Sequence, residues 1–438
     1  MERLLHYVWK YKLFEATQLI TTDGRPVRVI DTGIQNTDAG PDFFNAKVKV
    51  GDTLWAGGVE IHDKASDWLL HHHDEDKAYD AVVLHVVGVN DMNINRTTGE
   101  QIPQVILTVP EAISRNIDWL LFREKPVPCA DAIHSVDPLH LSSWLAFLVS
   151  ERMERKTLDI FALLERYNSD WNEVFYITLT RNFGFGVNND AFERLAKSLP
   201  LRCIQKQRGS ASQIEAMLFG QAGMLEGELP DCYSRFLQQE YGFLRHKFNL
   251  SPLDSSVFKN LRIRPVNFPY LKLAQLAAIW IQHDTLFSCI LEAGCIGDIK
   301  KCFRVHPSDY WKTHYHFYHV SPSKEKPVGE NSLNILLINT VVPMLFAYGN
   351  RCKRPEYCER AIRILEALPA ETNSIVSIFR DAGITVCHAG DSQALIQLKR
   401  EYCEKKKCMY CRIGFRILKG DINAVSYTHL RAHETDSY

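Results

Sequence analysis

The pattern of apolar and polar positions changes character once along the chain. MERLLHYVWKYKLFE opens it with apolar residues at helical spacing, which predicts a helix over about residues 2–19. Period-two alternation comes next: PVRVIDTG reads as a strand, and FFNAKVKV and TLWAGGVEIH read as a hairpin turned at Gly51-Asp52. SDWLLHHHDEDKAY, with Ser66 as its N-cap, predicts a second helix, and AVVLHVVGV a closing strand. From about 115 to 385 the apolar residues return to helical spacing, as in SSWLAFLVSERMERKTLDIFALLERY and SLNILLINTVVPMLFAYG, without a fixed-period repeat.

The expected fold class is an α+β or α/β N-terminal domain with a helix, three strands, helix, strand core, followed by a large all-helical domain. Pro126, Pro128 and the turn-like ASRN near 112–116 mark the change. The domains are drawn as 1–112, 113–385 and a Cys- and Lys-rich terminal element over 386–420. Residues 425–438 have neither periodicity and resemble translated adapter sequence, so they are expected to be a non-native tail.

Composition narrows the class only modestly. The 438 residues are 46% hydrophobic and 24% charged, ordinary values for a soluble globular chain. A formal net charge of -1 excludes a surface coated throughout for nucleic acid, while leaving room for a local basic groove. No apolar run approaches the ~20 residues that span a bilayer, and the first residues lack a signal-peptide core, so a cytoplasmic location and no membrane are expected. Twelve cysteines without an export signal then read as reduced thiols or metal ligands.

The densest chemistry lies in GGVEIHDKASDWLLHHHDED, residues 57–76. On the hairpin, Phe44, Ala46, Val48 and Val50 alternate with polar residues, as do Trp55, Val59 and Ile61 opposite them. Glu60 and His62, two apart, therefore share the other face with Asn45, Lys47 and Lys49. His71, His72 and His73 fall about 100° apart on the expected helix, so all three cannot face one ion. His85 reads as a satisfied, partly buried histidine. Asp67 and Asp76 read as helix-start and surface charges.

Pro41-Asp42 at the entry of one strand, Glu60-Ile61-His62 at the end of the next and the element order resemble the PD-(D/E)XK restriction-endonuclease-like phosphodiesterase superfamily, over about residues 1–95. The chain also resembles a bacterial family of unknown function, seen mainly in Bacteroidetes, through GPDFFNAKV, VEIH, SDWLLHHH, RNFGFGVN, RIRPVNFP and YCEKKKCMYCRIG. The nuclease resemblance implies divalent-metal-dependent phosphodiester hydrolysis of DNA or RNA. It assigns Asp42 and Glu60 as carboxylate ligands of Mg²⁺ or Mn²⁺, which lowers the pKa of a bound water. His62 stands where the superfamily has a lysine, and an imidazole with a reference pKa of ~6.5 serves as general base or nitrogen ligand instead. Gln35 and Asn36, in the loop GIQNTDAGPD, and Lys47 are the candidate substrate contacts. A plain hairpin aims Asp42 at the wrong face, so a bulge is required, with Gly57-Gly58 the expected place.

Cys403, Cys408 and Cys411 have C-x4-C-x2-C spacing, suited to Zn²⁺ or, second, an iron–sulfur cluster. Cys387, His388 or the Cys352 and Cys358 pair could supply a fourth ligand. In the helical zone Arg181, Asn182, Arg262 and Arg264, with Phe183, Phe185, Phe268 and Tyr270, form a possible phosphate and base contact set. Two other function classes stay open: a catalytically inactive nuclease-like scaffold that binds nucleic acid or protein, and a small-molecule enzyme in the helical domain.

Overall fold

The computed structural model describes residues 2–14, 19–36, 39–122 and 125–419; the end of the expected first helix at 15–18 and the expected tail at 425–438 lie outside them. The chain forms two compact units. The first comprises Met1–Leu141, Asp381–Ile384 and Lys399–Tyr438, and the second Ser142–Arg380 and Thr385–Leu398. The N-terminal part is a mixed α/β region, and the C-terminal part is largely helical.

In the first unit α1 (Glu2–Lys10) buries Leu5, Val8 and Trp9, one face of a helical repeat, and the Trp9 indole donates to the Thr32 carbonyl at 3.1 Å. The sheet contains β1 (Val27–Asp31), β2 (Ile34–Gln35), β3 (Phe43–Val50), β4 (Thr53–Lys64), β5 (Val82–Val89) and β6 (Gln104–Ile106). Its order is β1-β3-β4-β5-β6, with β2 also on β3. The pairs β1/β3 and β3/β4 are antiparallel, whereas β5 runs parallel to β4 and β6 parallel to β5. Gly51, at φ 57°, takes the turn conformation that the Gly-Asp pair allows, and Val50 faces Thr53 across it.

The required bulge exists, but in β3. Lys47 pairs with Ala56 and Ala46 with Gly57, yet Phe43 pairs with Val59, so β3 carries one extra residue between Phe43 and Ala46. Asn45 absorbs it at φ 56°, the left-handed region that asparagine tolerates. Gly57 has a different task. A Cβ there would stand 2.5 Å from the Ala81 carbonyl, so the glycine lets the entry to β5 pass close over β4.

The second expected helix is cut short. Only α2 (Asp67–Leu70) forms; the chain then turns through His72 at φ 60° and reaches a 3₁₀ turn over Lys77–Ala81 capped by Asp76. Helix α3 (Glu111–Phe122) comes after the sheet, and Asn116 Nδ2 donates to the Ile417 carbonyl at 2.9 Å. From Lys399 onward the Cys- and Lys-rich segment is part of the first unit, held against α3.

The second unit packs its helices around fully buried Phe175, Phe183, Phe192, Phe219 and Trp311. Among the described residues one helical run, Glu330–Cys352, is long and apolar enough to cross a membrane, which corrects the expectation of none; 72% of its apolar window is buried inside the protein. Its middle, Leu337–Val341, is π-helical just before Pro343, whose ring cannot sit in a regular α-turn. Of the expected nucleic-acid contacts, Arg181 pairs with Glu193 at 2.9 Å, Asn182 Nδ2 donates to the Asn339 carbonyl and the Thr340 hydroxyl at 2.9 Å, and Phe183 is core. Those groups serve packing, and Arg262 and Arg264 remain exposed.

The bulge makes a stability prediction. Asn45→Gly should fold with little loss, whereas Asn45→Val, which places a β-branched side chain at positive φ, should lower the unfolding free energy by about 1–2 kcal/mol in urea titrations.

Candidate metal centre

Because Phe43 faces Val59, the next residues outward, Asp42 and Glu60, fall on the same side of the sheet. They clasp reciprocally: the Asp42 amide donates to Glu60 Oε2 at 3.0 Å, and the Ile61 amide donates to Asp42 Oδ2 at 2.9 Å. His6, on α1, brings Nε2 within 3.3 Å of Asp42 Oδ2. His73 Nε2 lies 3.3 Å and His62 Nε2 3.7 Å from Glu60 Oε1. This is not a solvated strand face, since Glu60 is 5% and His62 2% exposed.

The imidazoles gather because α2 ends early. The left-handed His72 reverses the chain, leaves its own ring exposed, and turns His71 and His73 toward β4. One donor atom from each of His62, His71 and His73 lies within 4.8 Å of the others, a spacing that fits one ion. The three consecutive histidines do not all face one point, since His72 stays outside, but the turn brings His71 and His73 together with His62 where an unbroken surface helix would not. Tyr79 stacks on His73 with centroids 3.7 Å apart, while Trp68, fully buried, meets His62, His73 and His85 edge-on. His85, on β5 and fully buried, places Nε2 2.8 Å from His62 Nδ1, and His62 Nε2 lies 3.1 Å from His71 Nδ1. An imidazole that offers a cation its Nε2 lone pair carries its proton at Nδ1, and His85 Nε2 is in place to accept it.

Burial dominates the electrostatics. It is the main reason His62 is held down to about 4, with His73 and His71 adding to the shift, and it drives His85 well below the usual imidazole range. Both are neutral near pH 7. Burial also raises the Glu60 carboxyl, with the Asp42 charge adding and the His73 hydrogen bond opposing. For His6 burial is outweighed by the hydrogen bond and charge of Asp42, and its pKa rises. Beside Asp42 a small cleft is lined by Arg3, His6, Lys10, Tyr11, Gln35 and Tyr410, a basic and aromatic wall.

The other sequence candidates divide. Gln35 lines that cleft, and its Oε1 accepts from Lys10 Nζ at 3.1 Å. Asn36 closes its own loop, its amide donating to the Asp42 carbonyl at 2.7 Å and its Nδ2 to the Ala39 carbonyl at 3.2 Å. Lys47 stays exposed opposite Ala56, before the bulge. Asp67 accepts from the Lys64 amide at 3.0 Å and turns the chain into α2. His6, His71 and His73 had no spacing signal, because an interrupted helix and a distant α1 bring them in. Cys408 and Cys411 are buried and Cys403 is partly so.

A family model described as "Protein of unknown function (DUF2851)" matches residues 2–374. No curated protein and no solved structure matches.

The depressed imidazole sets a pH dependence. An unfolded histidine titrates near ~6.5 and His62 only at about 4, so its contribution is present above pH ~6.5 and is lost as pH falls toward about 4. Raised Glu60 and His6 act in the opposite sense and are common to wild type and variant. In chelator, the unfolding free energy of His62→Gln should therefore fall less steeply than that of wild type between about pH 6.5 and 4.5; parallel slopes would remove the buried-neutral assignment.

Proposed function

The chain belongs to the family described as a protein of unknown function, DUF2851, and from the geometry of its first unit we propose that it is a metal-dependent phosphodiesterase acting on DNA or RNA. The observation that carries this reading is the convergence of His62, His71 and His73 donor atoms within 4.8 Å, beside the buried Glu60 carboxylate. Three imidazoles suit a borderline divalent ion such as Zn²⁺, with Mn²⁺ compatible, better than Mg²⁺, which prefers an oxygen shell, and leave a position open for water. An ion held there would lower the pKa of a bound water and offset charge on a phosphate oxygen. Glu60, raised by burial, is placed to take the proton of that water, and Asp42 shapes its position through the shared backbone clasp. Arg3, His6 and Lys10 give the neighbouring cleft a positive wall for the phosphate, and Tyr11 and Tyr410 give it aromatic surface for a base.

The topology supports the nuclease-like part of the reading: a helix, an antiparallel three-strand run, a short helix and a strand parallel to the third, with Asp42 and Glu60 on facing positions of adjacent strands. One observation favours a catalytically silent scaffold. Both carboxylates already engage a backbone amide and an imidazole, so a ligand must compete with those partners.

The two readings separate in one set of assays. Calorimetric titration with Mn²⁺, and with Zn²⁺ after the cysteines are alkylated, should show one site in wild type whose affinity drops about 10–100-fold or more in His73→Ala. Hydrolysis of labelled single-stranded DNA, duplex DNA and RNA should fall about 10²-fold or more in Glu60→Gln. Stoichiometric metal binding without hydrolysis of any substrate would leave the scaffold, and cleavage equal in wild type and Glu60→Gln would expose a contaminant.

A further inference from the structure

The C-x4-C-x2-C run has no fourth ligand nearby in sequence, and the first unit offers a candidate of its own. Cys387, His388, Cys352 and Cys358 all belong to the second unit, whereas Cys403, Cys408 and Cys411 belong to the first. His388 is engaged as the N-cap of the helix Ala389–Gln397, its ring accepting from the Asp391 amide. The first unit contains another cysteine, Cys129, at the start of the 3₁₀ turn Ala130–Ser135 that comes after α3.

We infer that Cys129, Cys403, Cys408 and Cys411 are the four thiolate ligands of an iron–sulfur cluster. Chain connections draw Cys403, Cys408 and Cys411 together and tie their loop to the segment ahead of Cys129. The Lys407 amide donates to the Tyr402 carbonyl at 2.8 Å and the Lys406 amide to the Cys403 carbonyl at 3.1 Å, which folds the x4 loop back on Cys403. Lys406 Nζ reaches the Leu121 carbonyl at the end of α3 at 2.7 Å, tying that loop to the segment that leads to Cys129. Cys408 and Cys411 flank a single 3₁₀ turn, with the Cys411 amide 3.2 Å from the Cys408 carbonyl. The helix Arg412–Lys419 closes against it so tightly that a Cβ at Gly414 would stand 2.1 Å from the Cys408 carbonyl oxygen.

The sulfurs are sheltered and within one another's field. Relative exposures are 9% for Cys129, 8% for Cys408 and 7% for Cys411, while Cys403 is half-buried. Cys232, Cys295, Cys352 and Cys387, by contrast, are exposed. Burial pushes Cys129 well above the usual thiol range, Cys403 up to about 12 and Cys408 up to about 11. To this Cys129 adds the influence of Cys411, Cys403 and Cys408, Cys403 that of Cys411 and Cys408, and Cys408 that of Cys411. Three buried thiols that resist ionisation are poor nucleophiles. A soft cationic centre reverses the balance, because it replaces the protons and neutralises the mutual repulsion.

Width selects the occupant. A single Zn²⁺ with Zn–S of ~2.3 Å holds its thiolates roughly 3.8 Å apart in a tetrahedron. Among the described residues no three of these sulfurs meet the 4.8 Å mutual spacing that the imidazole trio meets. A wider four-cysteine cage suits a cluster in which the thiolates are shared among several irons. The assignment is independent of the hydrolytic reading, since it uses neither Glu60 nor the imidazoles.

The test uses the full chain purified without oxygen, or reconstituted with ferrous iron and sulfide. Wild type should carry iron and acid-labile sulfide, with broad visible absorption that bleaches on reduction. Cys129→Ser should lose most of all three while Cys352→Ser keeps them. Should Cys129→Ser fail to fold, the wild type still decides: maleimide labelling read by peptide mass should miss Cys129, Cys403, Cys408 and Cys411 in the loaded protein and find them after chelation. A protein that stays colourless and free of iron and sulfide after reconstitution overturns the cluster, as does full iron retention in Cys129→Ser or unchanged labelling of the four thiols.

Discussion

One extra residue in β3 governs the first unit's chemistry. The bulge at Asn45 shifts the β3/β4 register so that Asp42 stands across from Glu60 instead of Ile61, and the two then exchange carboxylate-to-amide hydrogen bonds. Without that shift the carboxylates would lie on opposite faces of the sheet, since register changes by one invert every side chain. The clasp gives the Asp42 and Ile61 amides carboxylate partners and leaves Glu60 Oε1 turned toward His73 and His62.

Around that clasp the protein maintains a largely buried, nitrogen-rich pocket with His71 at its exposed edge. Trp68, Tyr79 and the sheet remove His62 and His85 from water, and burial keeps them neutral, the state in which an imidazole offers a lone pair. Burying polar rings is costly unless they are partnered, and the chain His71, His62, His85 supplies ring-to-ring hydrogen bonds. Acid would charge these rings in a place that cannot solvate the charge. The site is thus bound to the stability of the sheet it sits on.

The first unit also gathers the chain's far end. Residues after Lys399 return to α3, and the Asn116 and Lys406 hydrogen bonds fasten them there. A four-thiolate cluster would lock the same junction from a second side. The helical unit contributes a large aromatic core, inside which buried Arg152 donates from Nε to Gln393 Oε1 at 2.6 Å.

Local pattern was enough to show the mixed N-terminal sheet, the helical zone after it and the hairpin at Gly51-Asp52, because period and turn chemistry are properties of short segments. It was also enough to require a bulge, since counting residues from the turn put Asp42 out of phase. Where the bulge fell depended on Asn45 accepting positive φ and on Gly57 being needed for the passage of β5, a contact between strands distant in sequence. His71 and His73 could be placed only once His72 broke the helix, and His6 only once α1 lay beside Asp42. Cys129 lies more than 270 residues before Cys403 in the chain, and no spacing rule joins them. Sequence carries the ligands one at a time; the register of a sheet and the return of a chain end decide which of them share a point in space.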